Sequence, residues 1–371
     1  MLTRRGFARV AAGGAATRML TEAAYAQRAA VRLTDLPKDM VWLNANENAA
    51  GPPRAALQAA IEVLPTAGRY HYQEFGDFYR AVAASEGLDA SQVVVGAGST
   101  EVLNLAVRTF TSPSRPLIAM HPTFEGPLEA ARGLGHPVVR VPLSPAYAAD
   151  VRGMAAEAEK AGGALLYICN PNNPTGAVTP AAGLAWLIAN LPRDTVLMVD
   201  EAYIHFGDSP QLRSALDAVK QGRPVVVTRT FSKIYGMAGM RAGFGCAPPE
   251  LAGRMSAFRN NVISIVTARA VLAALAEAST VLPERRAALA RTRSALAEWL
   301  RERNLRYIDS QANFMMIDIG RPAAGFGMAM ARLGVAPGRP FPPLDSMLRV
   351  SIGTDRDMEK FREVFWRVYQ G

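Results

Sequence analysis

Cysteine, histidine and lysine are scarce in this sequence, and their scarcity excludes several kinds of site. The chain of 371 residues has two cysteines, Cys169 and Cys246, which form no CxxC pair. Its four histidines lack the HExxH spacing of a zinc-binding helix. We therefore expect neither a disulfide framework nor a metal site. Only five of the 41 basic residues are lysines, so the other 36 are arginines.

The charge and the hydropathy of the chain exclude further classes. The formal net charge is +9, but the basic residues are scattered among acidic ones without a run or a helical stripe. A nucleic-acid partner is not expected, because tracking a phosphate backbone needs a contiguous basic patch. Hydrophobic residues at 50% and charged residues at 20% are typical of a globular chain. No stretch supplies the roughly 20 apolar residues of a membrane span.

The first residues resemble an export signal. Arg4 and Arg5 stand in a twin-arginine pattern, a weakly apolar stretch runs from Val10 to Thr17, and a small-residue cleavage site ends at Ala26. This pattern predicts a leader over residues 1–26 and a periplasmic protein. The alternative is a basic N-terminus on a cytoplasmic protein, because the apolar stretch is short.

Short apolar runs alternate with amphipathic stretches in the middle of the chain. Regular alternation of strand and helix predicts an α/β fold with a mostly parallel sheet covered on both faces. Such a sheet binds ligands beyond the carboxyl ends of its strands. From about Ser264 the pattern changes to one long helical stretch through Arg303, which begins a second lobe. The apolar runs are Val93–Val95, Leu117–Ala119, Val138–Val141, Leu165–Cys169, Val196–Val199 and Val225–Val227.

A lysine follows the last of these runs in a segment rich in polar groups. The segment extends from Thr230 to Arg241 and contains Ser232 and Lys233. Desolvation or a neighbouring cation would lower the pKa of such a lysine and make its amine nucleophilic, so that it forms an imine with an aldehyde. The hydroxyls and the guanidinium suit a phosphate. The alternative is a surface lysine that begins a helix.

An aspartate stands directly after the apolar run that precedes Val225–Val227 in the chain. Asp200 follows Val196–Val199 directly, and Tyr203 comes three residues later. Such an aspartate is either a helix cap or a buried anion that pairs with a cation. A protonated pyridine nitrogen is a cation of this kind, and the Tyr203 phenol would then face an oxygen of the same ring.

Three other segments after apolar runs suit a flat, phosphorylated ring. Gly96–Glu101 opens a helix, whose first amides favour a phosphate. Asn170–Gly176 holds three asparagine amides, although it also reads as a rigid turn. Phe124 either stacks on the ring or belongs to the core. Together the motifs provide an imine-forming lysine, a pyridine partner, a stacking face and a phosphate cradle, a set that fits pyridoxal 5'-phosphate.

The order of these motifs resembles the fold-type I pyridoxal-phosphate enzymes of the class I/II aminotransferases, most closely the histidinol-phosphate aminotransferase branch. The resemblance runs from about Asn44 to the C-terminus. It implies a three-layer sandwich with a mostly parallel sheet plus a smaller α+β domain. Residues 27–60 would join the small domain, 61–262 form the large domain and 263–371 complete the small one. The motifs are Gly96–Glu101, Asn170–Gly176, Asp200–Tyr203, Ser232–Lys233 with Arg241, and Leu348–Gly353.

The resemblance also implies a role for each matching residue. Lys233 would anchor the cofactor and move the proton between the substrate's α-carbon and the cofactor's C4′ carbon. Asp200 would keep the pyridine nitrogen protonated, and Arg349 would bind the substrate α-carboxylate with two hydrogen bonds. The ring would be held by Phe124, Asn173 and Tyr203, and its phosphate by Gly98, Ser99, Thr100, Thr230, Ser232 and Arg241.

Some positions suggest partners or depart from the family pattern. Tyr70 resembles the tyrosine that reaches the phosphate in the partner subunit's site, which implies a homodimer. The family's Asn-Glu-Asn-Pro is altered after Asn46, where Ala49 replaces proline, on the substrate side of the site. Arg339 resembles the arginine that meets the distal phosphate in histidinol-phosphate enzymes. It meets that phosphate, another acidic side chain or solvent.

The expected activity is transfer of an amino group between an amino acid or amino phosphate and a 2-oxoacid by a ping-pong mechanism. A decarboxylase of the same fold shares these motifs and is one alternative. A non-catalytic protein that binds pyridoxal phosphate is another, although the presence of both Lys233 and Arg349 argues against a decayed site.

Overall fold

The structure, a computed structural model, describes residues 37, 39–259 and 261–371. The predicted leader over residues 1–26 lies outside the described residues.

A seven-stranded sheet forms the centre of the larger part of the chain. Its strand order is β2-β8-β7-β6-β5-β3-β4, and only β8 runs antiparallel to its neighbours. The strands β2, β5 and β6 are buried along their whole length, as expected for aliphatic runs covered on both faces. The mostly parallel sheet is thereby confirmed. The strands are β2 (Val93–Gly96), β3 (Leu117–His121), β4 (Val138–Pro142), β5 (Leu165–Cys169), β6 (Val196–Asp200), β7 (Val225–Thr230) and β8 (Gly243–Cys246).

Helices cover this sheet and share one hydrophobic core with it. The core includes apolar side chains from every strand of the sheet's centre and from the helices on both faces. These helices are α1 (Arg54–Val63), α2 (Phe75–Ser85), α3 (Ser99–Phe110), α4 (Gly126–Gly133), α5 (Val151–Lys160), α6 (Ala181–Ala189), α7 (Leu216–Lys220), α8 (Pro249–Ser256) and α9 (Ile265–Ala276).

A second core lies among a smaller set of elements. In it, β10 pairs with β9 and β12 in an antiparallel sheet, and β1 pairs with β11 in parallel. The last helix begins at a capping box in which the side chain of Thr354 accepts from the amide of Asp357. The smaller α+β part is thus present. Its elements are β1 (Val41–Leu43), α10 (Ala278–Arg301), β9 (Tyr307–Ile308), β10 (Phe314–Asp318), α11 (Ala323–Arg332), β11 (Val335–Pro337), β12 (Met347–Ser351) and α12 (Asp355–Gln370).

The prediction of one helical stretch from Ser264 to Arg303 is wrong. The chain bends by 81° between α9 and α10, at Glu277. The two helices serve different cores: α9 packs against α1 and α2, whereas the C-terminal leucines of α10 enter the second core. The composition of both helices favours helix, so only their packing partners require the bend. No single helix of the described residues is long and apolar enough to cross a membrane.

Candidate functional site

The polar motifs meet at one edge of the large sheet. Asp200 and Thr230 are the last residues of β6 and β7, Asn170 follows β5, and Gly98 lies two residues beyond β2. These strands run in the same direction, so their carboxyl ends share an edge. Segment 44–47 and strand β12 approach the same edge from the smaller part. The structure thus brings the predicted motifs together at the edge where the sequence placed the site.

Asp200 is a buried anion and does not cap a helix. It is 3% exposed, and its Oδ1 accepts a hydrogen bond of 3.0 Å from Thr228, the residue paired with it across β6 and β7. Tyr167 donates to Oδ2 at 3.4 Å. Burial raises the pKa of Asp200 to about 6, while the hydrogen bond from Thr228 acts in the opposite direction. A cation beside this carboxylate would favour its ionised form.

Lys233 lies in a turn after β7, not at the start of a helix. Its Nζ donates to the carbonyl of Ala45 at 3.2 Å and lies 5.8 Å from the centre of the Tyr203 ring. The Tyr203 hydroxyl accepts a hydrogen bond of 3.1 Å from Asn46. Burial raises the pKa of Tyr203, so this phenol remains a neutral hydrogen-bonding group near the amine.

A glycine turn and an arginine form the cradle that the sequence predicted for a phosphate. Gly98 has φ +85° and a Cβ built on it would lie 2.8 Å from Nη2 of Arg241, so glycine keeps this space open. A Cβ on Gly243 would meet the amide nitrogen of Ser99 at 2.2 Å, because β8 runs against the start of α3. The amides of Ser99 and Thr100 are thereby held at the helix N-terminus, where an anion is favoured.

The two hydroxyl residues after β7 complete this side of the site. Thr230 donates to the carbonyl of Ala242 at 3.2 Å and accepts from the amide of Ser232 at 3.1 Å. Both residues are buried. These bonds hold the start of the turn that carries Lys233 against Ala242, the residue after Arg241.

Of the three asparagines in the segment after β5, two hold the backbone and one faces the site. Asn170 bonds to both backbone groups of Thr179, and Asn172 accepts from Thr123 and donates to the carbonyl of Pro122. Asn173 instead accepts a 2.7 Å hydrogen bond from Arg349. The turn interpretation therefore describes the first two, while the third belongs to the site.

Phe124 lies beside this anchored segment at the end of β3. Its ring is so close to Gly126 that a Cβ there would be 2.7 Å from Cε1. The hydrogen bond between Thr123 and Asn172 holds the backbone on its N-terminal side. The ring is half-buried, which suits a face that a planar ligand can cover.

Arg349 is a buried guanidinium with capacity for a ligand. It is 6% exposed and donates to Asn173 and, at 2.5 Å, to the carbonyl of Asn44. Within the described part of the chain its Nε has no hydrogen-bond partner. Burial lowers the pKa of Arg349 to about 10, so an arriving carboxylate would relieve the cost of burying this charge.

Asn46 ties the N-terminal segment to the smaller part. Its amide nitrogen donates to Ser351 Oγ at 2.8 Å, and its carbonyl accepts from Asn313 at 2.9 Å. Its φ of +54° is unusual for a residue with a side chain and is held by these bonds. The Asn46 side chain can therefore reach Tyr203.

Arg339 meets an acidic side chain of its own chain. It forms an ion pair with Glu125, and its Cζ lies 4.0 Å from the ring centre of Phe341. The Cζ of Arg349 lies 4.6 Å from the centre of the same ring. The two arginines that the sequence assigned to substrate binding thus share one aromatic neighbour.

Tyr70 lies outside this cluster. It is 74% exposed and stacks on Tyr72 at 5.1 Å between ring centres. Its stacking partner Tyr72 is not one of the predicted site residues.

The residues present fit pyridoxal phosphate. An anion-binding helix start, the space beside Arg241 that only glycine leaves open, a buried carboxylate and an amine near a phenol are the groups that its phosphate, ring nitrogen and aldehyde require. Among the described residues no group of three or more potential ligands is placed to hold a metal ion.

Several residues of the site were missed by the sequence reasoning. Thr228 and Tyr167 contact Asp200 across strands, so only strand register identifies them. Glu125 and Phe341 meet through Arg339, which is 214 residues from Glu125 in sequence. None of these residues stands in a recognisable motif of its own.

Comparison with known proteins identifies similar chains. The family model for aminotransferase class I and II matches residues 38–365. A histidinol-phosphate aminotransferase of Symbiobacterium thermophilum is 36% identical over 329 residues, covering 88% of this chain and 89% of that protein.

Solved structures give the same result. A protein of Erwinia carotovora atroseptica assigned as a histidinol-phosphate aminotransferase superposes with a TM-score of 0.86 at 30% identity, over 89% of this chain and 96% of that one. The histidinol-phosphate aminotransferase of Sinorhizobium meliloti, solved in complex with pyridoxal-5'-phosphate, has a TM-score of 0.82 at 26% identity, over 90% and 91%.

Proposed function

This chain belongs to the class I and II aminotransferases, and on that premise we propose that its amino donor is an amino phosphate of the histidinol-phosphate class and its acceptor a 2-oxoacid. The enzyme is an aminotransferase and its cofactor is pyridoxal phosphate. No observation favours the decarboxylase alternative. A decayed, non-catalytic site is not supported either, because the lysine, the aspartate and the carboxylate-binding arginine are all in place.

The residues of this chain divide the work of the reaction. The cofactor supplies an electron sink for the negative charge that develops at the donor's α-carbon. Lys233 would anchor the cofactor in the resting enzyme, and once the donor's amine has displaced it, its free Nζ would take the proton from that carbon. Asp200 is buried and accepts side-chain hydrogen bonds from the neutral hydroxyls of Thr228 and Tyr167, so its carboxylate would stabilise a protonated ring nitrogen. Phe124 would cover one face of the ring and exclude water from it.

The observation that carries the choice of donor is the pairing of two arginines on one ring. Arg349 is buried, its Nε has no hydrogen-bond partner among the described residues, and its guanidinium suits the carboxylate of the 2-oxoacid. Arg339 is half-exposed and contacts the same Phe341 ring, so it is available to a second group of the donor. The similarity to histidinol-phosphate aminotransferases supports a phosphate as that group.

The test is a pair of half-reactions followed by the cofactor's visible absorbance. Histidinol phosphate should convert the purified holoenzyme to its amino form, and 2-oxoglutarate should restore the starting spectrum. Histidinol and phenylalanine serve as donors without a phosphate. Conversion by phenylalanine at a rate equal to or above that with histidinol phosphate would overturn the proposed donor while leaving the enzyme class intact.

We also propose that the enzyme is a homodimer in which Tyr70 reaches the partner's cofactor phosphate. Its support is a set of large apolar and aromatic side chains exposed on α1 and the segment after it, where a second copy would cover them. Sedimentation velocity on the holoenzyme measures the assembly. These side chains are Leu57, Ile61, Leu64, Tyr70 and Tyr72.

Export to the periplasm through the twin-arginine pattern is a further proposal. It rests on the sequence of residues 1–26 alone. Fractionation of cells that express the parent or the Arg4→Lys, Arg5→Lys double variant tests it. A cytoplasmic location of both proteins would remove the proposal.

A further inference from the structure

Glu125 is an acidic residue at the substrate side of the site, and none of the roles above uses it. It follows Phe124 directly and is the N-cap residue of α4. Its side chain is 17% exposed, and its Oε2 accepts a hydrogen bond from Nη2 of Arg339. The carboxylate therefore belongs to the residue next to Phe124, which is expected to stack on the cofactor, and it is paired with Arg339, which is expected to meet a distal phosphate.

Arg339 is held in this position from three sides. Besides Glu125, it donates through Nη1 to the carbonyl of Pro340 at 3.0 Å and lies over the Phe341 ring. Its side chain is 46% exposed, so a ligand can approach it from solvent. Any anion that approaches Arg339 meets a guanidinium whose charge is already balanced.

The Glu125–Arg339 pair also lies close enough to Arg349, the arginine expected to bind the substrate carboxylate, to influence its pKa. Burial lowers the pKa of Arg349, Arg339 lowers it further, and Glu125 raises it. Glu125 thus belongs to the same electrostatic environment as the substrate-binding arginine. Its charge is positioned to affect what binds there.

We propose that Glu125 is a specificity-determining residue that occupies Arg339 until a substrate phosphate displaces it. This inference rests on the proposed function, since it concerns the distal group of the donor. A phosphate can bind the Arg339 guanidinium only after it has broken the ion pair with Glu125, which costs binding free energy. A donor without a phosphate leaves the pair closed and neutral. Glu125 therefore lowers the preference for phosphorylated donors and permits uncharged ones.

The experiment compares kcat/KM for histidinol phosphate and histidinol in the holoenzyme and in Glu125→Gln. In the variant the ratio of the two values should shift towards histidinol phosphate by about tenfold, mainly through KM, because the competing charge is gone while the shape of the side chain is kept. Glu125→Asp, which keeps the charge, should restore much of the parent ratio. The control is Glu129→Gln, which removes another carboxylate of α4. Glu129 pairs with Arg132 and not with Arg339, so this variant should leave the ratio unchanged.

A double variant separates competition from a change of structure. In the Arg339→Gln background, Glu125→Gln should no longer shift the ratio, because no guanidinium remains to be released. The same shift in both backgrounds would overturn the inference, as would an unchanged ratio in the single variant when histidinol phosphate is a good donor.

Failure of the proposed donor is distinguishable from failure of this inference. If neither the parent nor Glu125→Gln turns over histidinol phosphate, the proposed donor is wrong. Inorganic phosphate then serves as the probe: millimolar phosphate should raise the melting temperature of the Glu125→Gln holoenzyme more than that of the parent. Equal shifts of the melting temperature in the two proteins would contradict the proposed competition between Glu125 and phosphate for Arg339.

Discussion

Asp200 shows at the scale of one residue how burial and function oppose each other. The carboxyl is almost fully removed from solvent and receives two hydroxyl hydrogen bonds, which compensate only part of the lost hydration. Its raised pKa records the remaining cost. The cofactor-free chain bears that cost so that a cation can be stabilised when the ring binds.

Replacing Asp200 by asparagine should separate stability from activity. Because the folded-state pKa is about 6 and the ordinary pKa of an aspartate is 3.8, the folded chain holds this proton more tightly than the unfolded chain. The corresponding stability is present at low pH and is lost as the pH rises through that window. As the pH rises from 4 to 8, the melting temperature of the cofactor-free parent should therefore fall relative to that of Asp200→Asn, which lacks this titrating group.

The same Asp200→Asn exchange should lower the activity, although it removes the loss of stability at higher pH. Without a carboxylate at the ring nitrogen, kcat should fall by about 10²–10³-fold, as for other groups that stabilise developing charge. The control is Asp217→Asn, which removes an exposed carboxylate on α7. A parent that gains stability relative to Asp200→Asn with rising pH would contradict the assigned burial cost.

Lys233 is the residue on which the covalent chemistry depends. Borohydride reduction of the holoenzyme followed by peptide mapping should find the cofactor attached to Lys233. Lys233→Ala should show no reduced adduct and should lose roughly 10²–10⁴-fold in rate, because the proton-transferring amine is absent. Lys220→Ala, which changes an exposed lysine on α7, should behave as the parent. An adduct on any other lysine would refute the assignment.

At the scale of elements, the site is built from strand ends and the turns after them. The apolar runs identified the strands, and the parallel pairing brought their ends together. The turn between β2 and α3 matters most, since it combines a positive φ at Gly98 with contact to Arg241. The same reasoning from composition failed between α9 and α10, where packing against two cores determines the bend.

Gly98→Ala should weaken cofactor binding as well as the fold. The backbone strain costs about 1–3 kcal/mol, and the added methyl would lie against the Arg241 guanidinium. The matched control is Gly135→Ala, where φ is +74° and nothing lies within 4 Å of the added atom. Both variants should lose stability in chemical denaturation, but only Gly98→Ala should lose cofactor affinity in a fluorescence titration. An equal loss of affinity in both would show that strain alone is responsible.

At the scale of the whole molecule, the two cores and the N-terminal segment enclose the site. Asn46 and Arg349 connect the segment and the smaller sheet to residues of the large sheet's edge. Among the described residues, Tyr70 is exposed and stacks on Tyr72, outside the cluster that encloses the site. A second copy would give Tyr70 a place at the partner's site, and this proposal leads to a test by subunit mixing.

Lys233→Ala and Tyr70→Ala chains should complement each other. In a hybrid dimer one site combines the intact lysine of one subunit with the intact tyrosine of the other. Random mixing should restore about one quarter of the parent activity, because half of the dimers are hybrids with one complete site. Activity is measured before and after denaturation and refolding of the mixture. No recovery in a mixture shown to contain hybrids would exclude a role of Tyr70 across the interface.

The sequence by itself determined the fold class, the cofactor and the class of enzyme, because strand formers and turn motifs act over a few residues and their order along the chain is specific. Only the tertiary structure decided which asparagine faces the site, that Thr228 and Tyr167 support Asp200, and that Glu125 meets Arg339. These contacts join residues far apart in the chain. They depend on strand register and on the packing of two cores, which no local pattern encodes.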